Sequence, residues 1–156
     1  MRLIVLCLIT VAAFAQKYAG PVPPKEDLPY LLQADNRIVT EAATAQEQKG
    51  KKDEITYIIS GASSSARTPL ASPIFLLKLK DLVPEKLHLY KLEVKNGHRE
   101  ISFRNNKKAK NPEPLRLNIR RLSEGLFRLE VSDSLPNGQY SLSPDESNDV
   151  FCFEVF

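Results

Sequence analysis

Few side chains in this 156-residue chain could take part in chemistry. Zinc needs three or four converging His, Cys or carboxylate ligands, and the chain offers only His88, His98 and Cys152 beside its carboxylates and one further cysteine near the start. The Asn-Gly dipeptide just before His98 predicts a two-residue hairpin turn. Its register puts the two histidines on opposite faces and about 23 Å apart. We therefore expect no metal site and no cofactor.

Nucleophilic catalysis needs a serine or cysteine with a base in reach and an oxyanion hole. The segment SGASSSA (residues 60–66) supplies serines, but without the G-x-S-x-G pattern of a nucleophile elbow. The predicted strand register places no carboxylate beside either histidine as its orienting partner. We therefore expect a protein that is not an enzyme, with a hydrolase as the alternative.

Two charged stretches are candidates for binding. Asp145, Glu146 and Asp149 lie in a predicted turn without EF-hand spacing, and a solvated turn explains them. The stretch RNNKKAK (residues 104–110) carries four positive charges, which could bind an anionic polymer, lipid headgroups or an acidic partner, or protect a strand edge. The candidate binding residues are Arg104, Lys107, Lys108, Lys110, Arg116, Arg120 and Arg128.

The beginning of the chain predicts its compartment. An apolar run, LIVLCLITVAAFA (residues 3–15), follows Arg2 and ends in an A-x-A pattern, as secretory signal peptides do. The run is shorter than the about 20 residues of a membrane span. We expect cleavage after Ala15, export to the periplasm or the outside, and no transmembrane segment in the mature chain. Cys152 would then be the only cysteine, which excludes an intramolecular disulfide.

The remaining chain predicts one domain. Residues 16–27 contain three prolines and one glycine and are expected to form a flexible tether, followed by a single domain over residues 28–156. The charge balance, 22 Lys+Arg against 19 Asp+Glu, argues against a nucleic-acid binder. Residues 36–54 have two interpretations, a helix or a long polar strand over 38–48 that returns as a strand over 54–60. The hairpin is the favoured one.

Two hairpins position the candidate residues. The first has an Asn96-Gly97 turn, and its expected apolar face comprises Tyr90, Leu92, Val94, Ile101 and Phe103. The second has a three-residue loop over 123–125, and the expected pairs are Leu117 with Val131, Ile119 with Leu129, and Leu122 with Leu126. Residues 74–79 form an apolar run that predicts a buried strand.

Short strands separated by turns about every ten residues predict an all-β fold, a two-sheet antiparallel β-sandwich of about seven to nine strands. Tyr140 follows a turn, as does the tyrosine corner of immunoglobulin-like sandwiches. The final stretch, NDVFCFEVF (residues 148–156), has apolar side chains on both faces. We therefore expect Cys152 to be buried as a small hydrophobe.

Four stretches resemble one group of proteins: PPKEDLPYLLQADN, ARTPLASPIFLLK, LYKLEVKNGHREISF and NDVFCFEVF. The chain resembles small secreted proteins of acidobacteria-like soil bacteria through these stretches, which cover about a third of it. The resemblance implies a signal-bearing protein with a β-sandwich domain. It implies no activity, substrate or catalytic residue.

The expected function is that of an exported, non-catalytic module that binds a protein or cell-envelope component through its strand faces, loops or basic patch. The alternative is a carbohydrate- or small-ligand-binding accessory domain, with the long loop over residues 61–73 shaping the site. Sugars stack on exposed aromatic rings, and the chain has no Trp. With Tyr90 and Tyr140 expected to point inward, Tyr18, Tyr30 and Tyr57 remain for that task.

Overall fold

The computed structural model describes residues 17–106 and 108–156. These residues form β-strands and a single 3₁₀ turn, Pro84–Lys86, and none of them forms an α-helix, so none lies in a helix that could cross a membrane. The all-β prediction is therefore confirmed. The predicted signal peptide lies outside the described residues. The strands are β1 (Tyr30–Gln33), β2 (Asn36–Val39), β3 (Glu41–Thr44), β4 (Gln46–Lys49), β5 (Glu54–Ile59), β6 (Arg67–Thr68), β7 (Ile74–Lys78), β8 (Leu87–Lys95), β9 (His98–Arg104), β10 (Leu117–Ser123), β11 (Leu126–Val131), β12 (Gly138–Pro144) and β13 (Asp149–Val155).

Five strands form the first sheet, in the order β10-β11-β7-β1-β2, with antiparallel neighbours. Its central strand β7 is the predicted apolar run, and Phe75, Leu76 and Leu77 are fully buried there. Pro29 immediately precedes β1, where its missing N–H breaks no ladder bond. Its carbonyl oxygen instead accepts hydrogen bonds from the backbone N–H and hydroxyl of Thr40, at 3.2 and 2.7 Å.

The second sheet has the order β3-β13-β12-β8-β9-β5-β4, and β6 adds a short parallel pairing to β13. Its two outer strands, β3 and β4, are consecutive in the chain and are joined by Ala45 alone. The sheet must therefore curl until its edges approach each other. The backbone N–H of Ala45 donates to the carbonyl of Asn148 at 2.7 Å, which holds this corner against the start of β13.

The two sheets share a hydrophobic core. Leu31, Phe75, Leu77, Leu129 and Val131 come from the five-stranded sheet, and the opposing members from β8, β12 and β13 are Leu87, Leu89, Tyr140, Leu142, Phe151, Phe153 and Val155. Phe75 meets Phe153 edge to face with ring centroids 5.0 Å apart. The strict alternation of large apolar residues along β12 and β13 sends one set of side chains into this core. Their other face lies inside the curl.

Residues 36–54 form strands and not a helix, and the predicted return hairpin is confirmed, because β4 pairs with β5 from Gln46↔Ile58 to Lys49↔Ile55. The long single strand predicted over residues 38–48 is wrong. It breaks at Thr40 and Ala45 into three short strands that pair with β1, β13 and β5 respectively. The described residues form thirteen strands, above the seven to nine predicted, and these breaks account for two of the additional ones.

The second hairpin pairs Leu117 with Val131 and Ile119 with Leu129, as predicted. Its turn differs from the prediction, because Ser123 and not Leu122 pairs with Leu126, and the register shifts between Arg121 and Ser123. A bulge of this kind leaves one residue unpaired on the bulged strand. Leu122 is that residue.

The Asn96-Gly97 turn has the two positive φ values, 50° and 78°, that a type I′ turn requires. A two-residue turn at this position predicts the pairs Lys95↔His98 and Val94↔Arg99, and both form. The same register predicts Leu92 opposite Ile101 and Tyr90 opposite Phe103, and this part is wrong, because the β8–β9 ladder ends at Glu93↔Glu100.

Along their other edges β8 pairs with β12, and β9 pairs with β5 from Arg99 to Arg104. Beyond Glu93↔Glu100 no ladder in the described part of the chain joins β8 to β9, and Leu89 of β8 forms a bridge with Leu115 instead. The two strands diverge there and leave a gap in the wall of the curled sheet.

The end of the predicted tether contacts the domain. The Asp27 carboxylate accepts backbone hydrogen bonds from Lys80, Asp81 and Leu82 at 2.8, 2.7 and 3.0 Å. Burial raises the pKa of this carboxyl, but the three hydrogen bonds and the charge of Lys80 outweigh burial and hold the pKa below its ordinary value. Asp27 thus anchors the chain to the turn that follows β7.

Candidate functional site

The inside of the curled sheet holds an open concavity of 610 Å³, which we call the cup. Beneath it lies a small hydrophobic inner cluster of Ala45, Ile59, Leu92, Val150 and Cys152, of which Ala45, Ile59 and Val150 line the cup. Its mouth lies toward the turn that joins β12 to β13. The residues that line it are Ala45, Glu47, Ile55, Tyr57, Ile59, His88, Tyr90, Ile101, Phe103, Arg104, Asn105, Ser141, Ser143, Pro144, Asp145, Glu146, Ser147, Asn148 and Val150.

The cup exists because the side chains on one wall are small. Strand β12 turns Tyr140 and Leu142 toward the shared core, so Ser141 and Ser143 face the cup. Their hydroxyl oxygens are 3.1 Å apart and hydrogen-bonded to each other. A tightly packed interior would fill this space with larger side chains. The two serines leave it open and give it a polar wall.

Aromatic rings form the opposite wall. Tyr57 of β5 meets Phe103 of β9 with centroids 6.0 Å apart and ring planes at 73°. Phe103 in turn meets Tyr90 of β8 at 5.5 Å and 80°. All three residues are half-buried. Tyr90 and Phe103 contact through their rings although β8 and β9 are not hydrogen-bonded at this level. The rings thus span the gap between the two strands.

The expected roles of the tyrosines need correction. Tyr90 does not enter the core between the sheets but lines the cup beside Tyr57. Tyr30 is buried, and the Tyr18 hydroxyl donates to the carbonyl of Pro21 at 3.0 Å. Tyr140 is fully buried as predicted, and its hydroxyl donates to the Pro136 carbonyl at 2.6 Å. An aromatic surface therefore exists, and two of its three rings belong to Tyr90 and Phe103, which the hairpin pattern assigns to the interior.

The rim of the cup carries a histidine–carboxylate pair. His88 Nε2 lies 2.7 Å from Asp145 Oδ1, because the β12–β8 ladder brings the turn after β12 beside the start of β8. The expectation that neither histidine has a carboxylate partner is therefore wrong. His98 also has one, since its Nε2 lies 2.7 Å from Glu100 Oε2. Burial raises the pKa of the Tyr90 hydroxyl, and the charge of Asp145 raises it further.

A buried ion pair supports the cup from behind. The guanidinium of Arg99, 1% exposed, contacts both carboxylate oxygens of Glu41 at 2.7 and 3.1 Å. It also donates to the carbonyls of Ser60 and Gly61 at 2.6 and 2.9 Å. Glu41 accepts the backbone N–H of Ser65 at 3.0 Å. These bonds clamp the first part of the loop over residues 61–73 against β3 and β9. This loop does not line the cup.

Cys152 is fully buried beside this ion pair, in the inner cluster of the cup, which confirms the predicted burial. Burial raises the pKa of its thiol to about 12, slightly offset by the charge of Arg99. A thiol of this kind is protonated at neutral pH and is neither a nucleophile nor a metal ligand there.

The predicted binding residues fall on both sheets. Arg104 ends β9 and Lys108 and Lys110 follow it in a loop, whereas Arg116, Arg120 and Arg128 lie on or beside β10 and β11. Lys107 lies outside the described residues. Three of the arginines pair with carboxylates. These ion pairs are Arg104 with Glu54 at 2.6 Å, Arg116 with Asp133 at 3.0 Å, and Arg128 with Glu130.

A second concavity, the polar groove, lies on the outer side of the gap between β8 and β9. It has a volume of 1050 Å³ and lies over the outward-facing residues of β4, β5 and β9. Its lining includes both Arg104 and Lys110 from the predicted patch, with Lys91 and Lys95. Glu93 and Glu100 also line the groove, and their carboxylates bind the Lys95 ammonium at 2.6 and 3.0 Å. The groove therefore has mixed charge.

Sequence reasoning missed the site as a whole. The strand alternation already placed Tyr90, Ile101 and Phe103 on one face, and Ser141 opposite to Tyr140. That alternation did not show which strand would cover this face. Among residues 17–106 and 108–156, no group of three or more His, Cys, Asp or Glu side chains could hold a metal ion. No protein family, curated protein or solved structure matches the chain.

Proposed function

We propose that the protein is an exported, non-catalytic module that binds a small organic ligand in the cup. The observation that carries the proposal is an open concavity of 610 Å³ with aromatic residues on one wall and serines on the other. Ligand sites are commonly concave, about 300–1,000 Å³, and apolar with a few polar groups. Tyr57, Tyr90 and Phe103 would be buried if the curl were only a packed core. They stay partly exposed instead.

The fold part of the proposal is an immunoglobulin-like β-sandwich. The core shared by the two sheets supports a sandwich. The hydrogen bond from Tyr140 to the Pro136 carbonyl supports the immunoglobulin-like assignment, because a tyrosine corner bonds to backbone a few residues upstream. The curl of the second sheet is an addition to the immunoglobulin-like arrangement. Export remains a proposal that depends on the apolar run over residues 3–15.

The chemical groups around the cup support a function without catalysis. The Cys152 thiol is fully buried and its pKa is raised to about 12. The hydroxyls of Ser141 and Ser143 hydrogen-bond to each other. His88 bonds to Asp145, but in the described part of the chain neither serine hydroxyl donates a hydrogen bond to its ring, as activation of a serine nucleophile would require.

The test is a ligand-observed NMR screen of small organic fragments against the protein and two variants. Ser143→Leu puts a large side chain into the cup, whereas Ser134→Leu puts the same side chain on an exposed position outside it. Fragments should bind the unaltered protein and Ser134→Leu equally and should lose at least about tenfold in affinity to Ser143→Leu. Equal binding to all three, or no binding at all, would contradict the proposal.

The second candidate function is binding of an anionic cell-envelope polymer or acidic protein. It is favoured by Arg104 and Lys110, which line the polar groove together with Lys91 and Lys95. Such binding should weaken steeply as salt rises, because exposed charges are screened within about 8 Å at physiological ionic strength. Retention on an anionic resin that survives moderate salt, or that is unchanged in Lys108→Gln/Lys110→Gln, would exclude this candidate.

A further inference from the structure

We infer that the cup selects a compact organic cation, namely an alkylammonium group of quaternary type. The inference rests on the proposed binding function of the cup and names the chemistry of its ligand. Two independent observations lead to it. One is the mutual orientation of the aromatic rings, and the other is the sign of the charge at the mouth.

The three rings stand at steep angles to one another along one wall of the cup, and they make an aromatic cage that is open on the serine side and not a flat platform. Tyr57 and Phe103 are inclined at 73°, and Phe103 and Tyr90 at 80°. A sugar ring stacks on a flat aromatic surface, which ring planes nearly perpendicular to their neighbours do not provide. A small rounded cation, in contrast, gains from ring faces that are turned toward it at different angles. Cation–π attraction is worth about 0.5–2 kcal/mol, and aromatic cages bind quaternary ammonium groups in this way.

The charge at the mouth has the matching sign. The ionisable residues that line the cup are Glu47, Asp145 and Glu146 on the acidic side, with Arg104 and His88 opposing them. Arg104 is bound to Glu54, which lies outside the cup lining, and His88 is bound to Asp145.

Glu47 and Glu146 are exposed and form no ion pair with any residue in the described part of the chain. The mouth therefore carries unneutralised carboxylates, although the whole chain has a net charge of +3. A cation is attracted to this mouth and an anion is repelled.

The alkyl groups of a quaternary ammonium can pack against the apolar residues of the cup wall. A primary ammonium is compact and strongly hydrated, so it loses more hydration than a quaternary ammonium on entering the cup between the rings and the serine wall. A quaternary ammonium needs no hydrogen bond and can place its methyl groups against Ile55, Ile101 and the rings. The same group occurs in free small molecules and in the headgroup of choline lipids.

The experiment compares two ligands of nearly the same shape by isothermal titration calorimetry. Choline carries a quaternary nitrogen, and 3,3-dimethylbutan-1-ol carries a neutral carbon in its place. Choline should bind at least about tenfold tighter. Equal affinities would overturn the inference while leaving the proposed ligand-binding function intact. Failure of choline to bind also overturns it, and the fragment screen then decides separately whether the cup binds any ligand.

Two variants and a control locate the effect. Phe103→Leu removes the central ring and should lower choline affinity about tenfold, with folding checked by denaturant unfolding. Glu47→Gln removes an exposed charge without altering packing and should lower choline affinity two- to threefold, but leave that of the alcohol unchanged. Glu85→Gln, an exposed carboxylate in the 3₁₀ turn, should change neither. Unchanged choline binding in both cup variants would overturn the inference.

A third measurement separates the two sources of the group. Phosphatidylcholine vesicles should co-sediment with the protein if a membrane headgroup reaches the cage, and free choline should compete with them. Binding of choline without co-sedimentation assigns the cup to a free cation. Co-sedimentation that choline does not compete, together with an absence of choline binding, would contradict a cation site in the cup.

Discussion

Cys152 has no exposed surface, and its thiol lies among Ile59, Leu92 and Val150 beneath the cup. The thiolate is the reactive form of cysteine, and burial raises the pKa of this thiol from 9.0 to about 12. We predict that a thiol reagent at pH 8 labels Cys152 only after unfolding. Labelling of the native protein as fast as of the denatured protein would show that the site opens in solution.

The same thiol should affect stability at alkaline pH. In the unfolded chain it loses its proton near its ordinary pKa of 9.0, whereas the folded state keeps the proton to about 12. Between these values the folded state binds more protons, so the free energy of unfolding falls as pH rises. Cys152→Ala should cost about 1 kcal/mol at pH 7 through the lost packing. Its stability should decline less than that of the unaltered protein above pH 9 in chemical denaturation.

The ion pair between Arg99 and Glu41 should contribute more to stability than any surface pair. Removing one partner of a buried pair costs about 3–5 kcal/mol, because it leaves a buried charge unpaired. We predict a loss near the lower end, about 3 kcal/mol, for Glu41→Gln, since Glu41 is 24% exposed. Asp133→Asn makes the same change in an exposed pair with Arg116 and should stay within about 1 kcal/mol. Equal losses would contradict this assignment.

Acid unfolding gives an independent check on Glu41. Burial raises the pKa of this carboxyl, but hydrogen bonds from Arg99, Ser64 and Ser65 and the charge of Arg99 bring it below its ordinary value of 4.5. A depressed folded pKa stabilises the folded state above pH 4.5, and this stabilisation is lost as pH falls through the folded pKa. The free energy of unfolding of Glu41→Gln should therefore depend less on pH below 4.5.

The hairpin of β8 and β9 depends on its turn. Gly97 has a φ of 78° and nothing within 4 Å of an added Cβ, so Gly97→Ala costs only the left-handed backbone strain, about 1 kcal/mol. Gly50→Ala is the matched control, because Gly50 is not in that conformation and its nearest neighbour would be 3.4 Å away. It should change the free energy of unfolding by less than about 0.5 kcal/mol. Similar losses in both variants would argue against a type I′ turn.

Local chemistry predicts this hairpin near its turn but not further along. The Asn96-Gly97 dipeptide determines which residues face each other as far as Glu93↔Glu100. Beyond that pair β8 bonds to Leu115 at Leu89 on this edge, while β12 and β5 hold the other edges of β8 and β9. These partners lie far away in the chain, and no local pattern describes them. The gap that opens there is what the cup requires, so the site could not be predicted from the turn.

The alternation of side chains along a strand predicts which residues share a face, but it does not predict what covers that face. Tyr140, Leu142, Phe151 and Phe153 occupy the shared core as their period of two indicates. The opposite face of the same strands is covered because β3 and β4 meet through Ala45 and curl the sheet. A small polar residue on that opposite face, such as Ser141, is compatible either with a solvated face or with the interior of the cup. Only the curl decides between these possibilities.

The molecule as a whole thus has two interiors with different properties. The core between the sheets is filled by large apolar side chains, and the curl of the eight-stranded sheet leaves a cup with exposed aromatic rings. The described basic residues mostly lie elsewhere, and three of the four arginines predicted to bind are ion-paired. We therefore propose that binding occurs inside the curl and not on the outer arginine-bearing surface of β10 and β11.

Amide chemical-shift mapping tests this claim most directly. The ¹⁵N-labelled protein is titrated with the fragment of highest affinity, and the shift of each backbone amide is followed. The account predicts the largest saturable shifts in β5, β8 and β9 and in the turn over residues 145–148. Largest shifts in β10 and β11, or in the loop over residues 61–73, would contradict it.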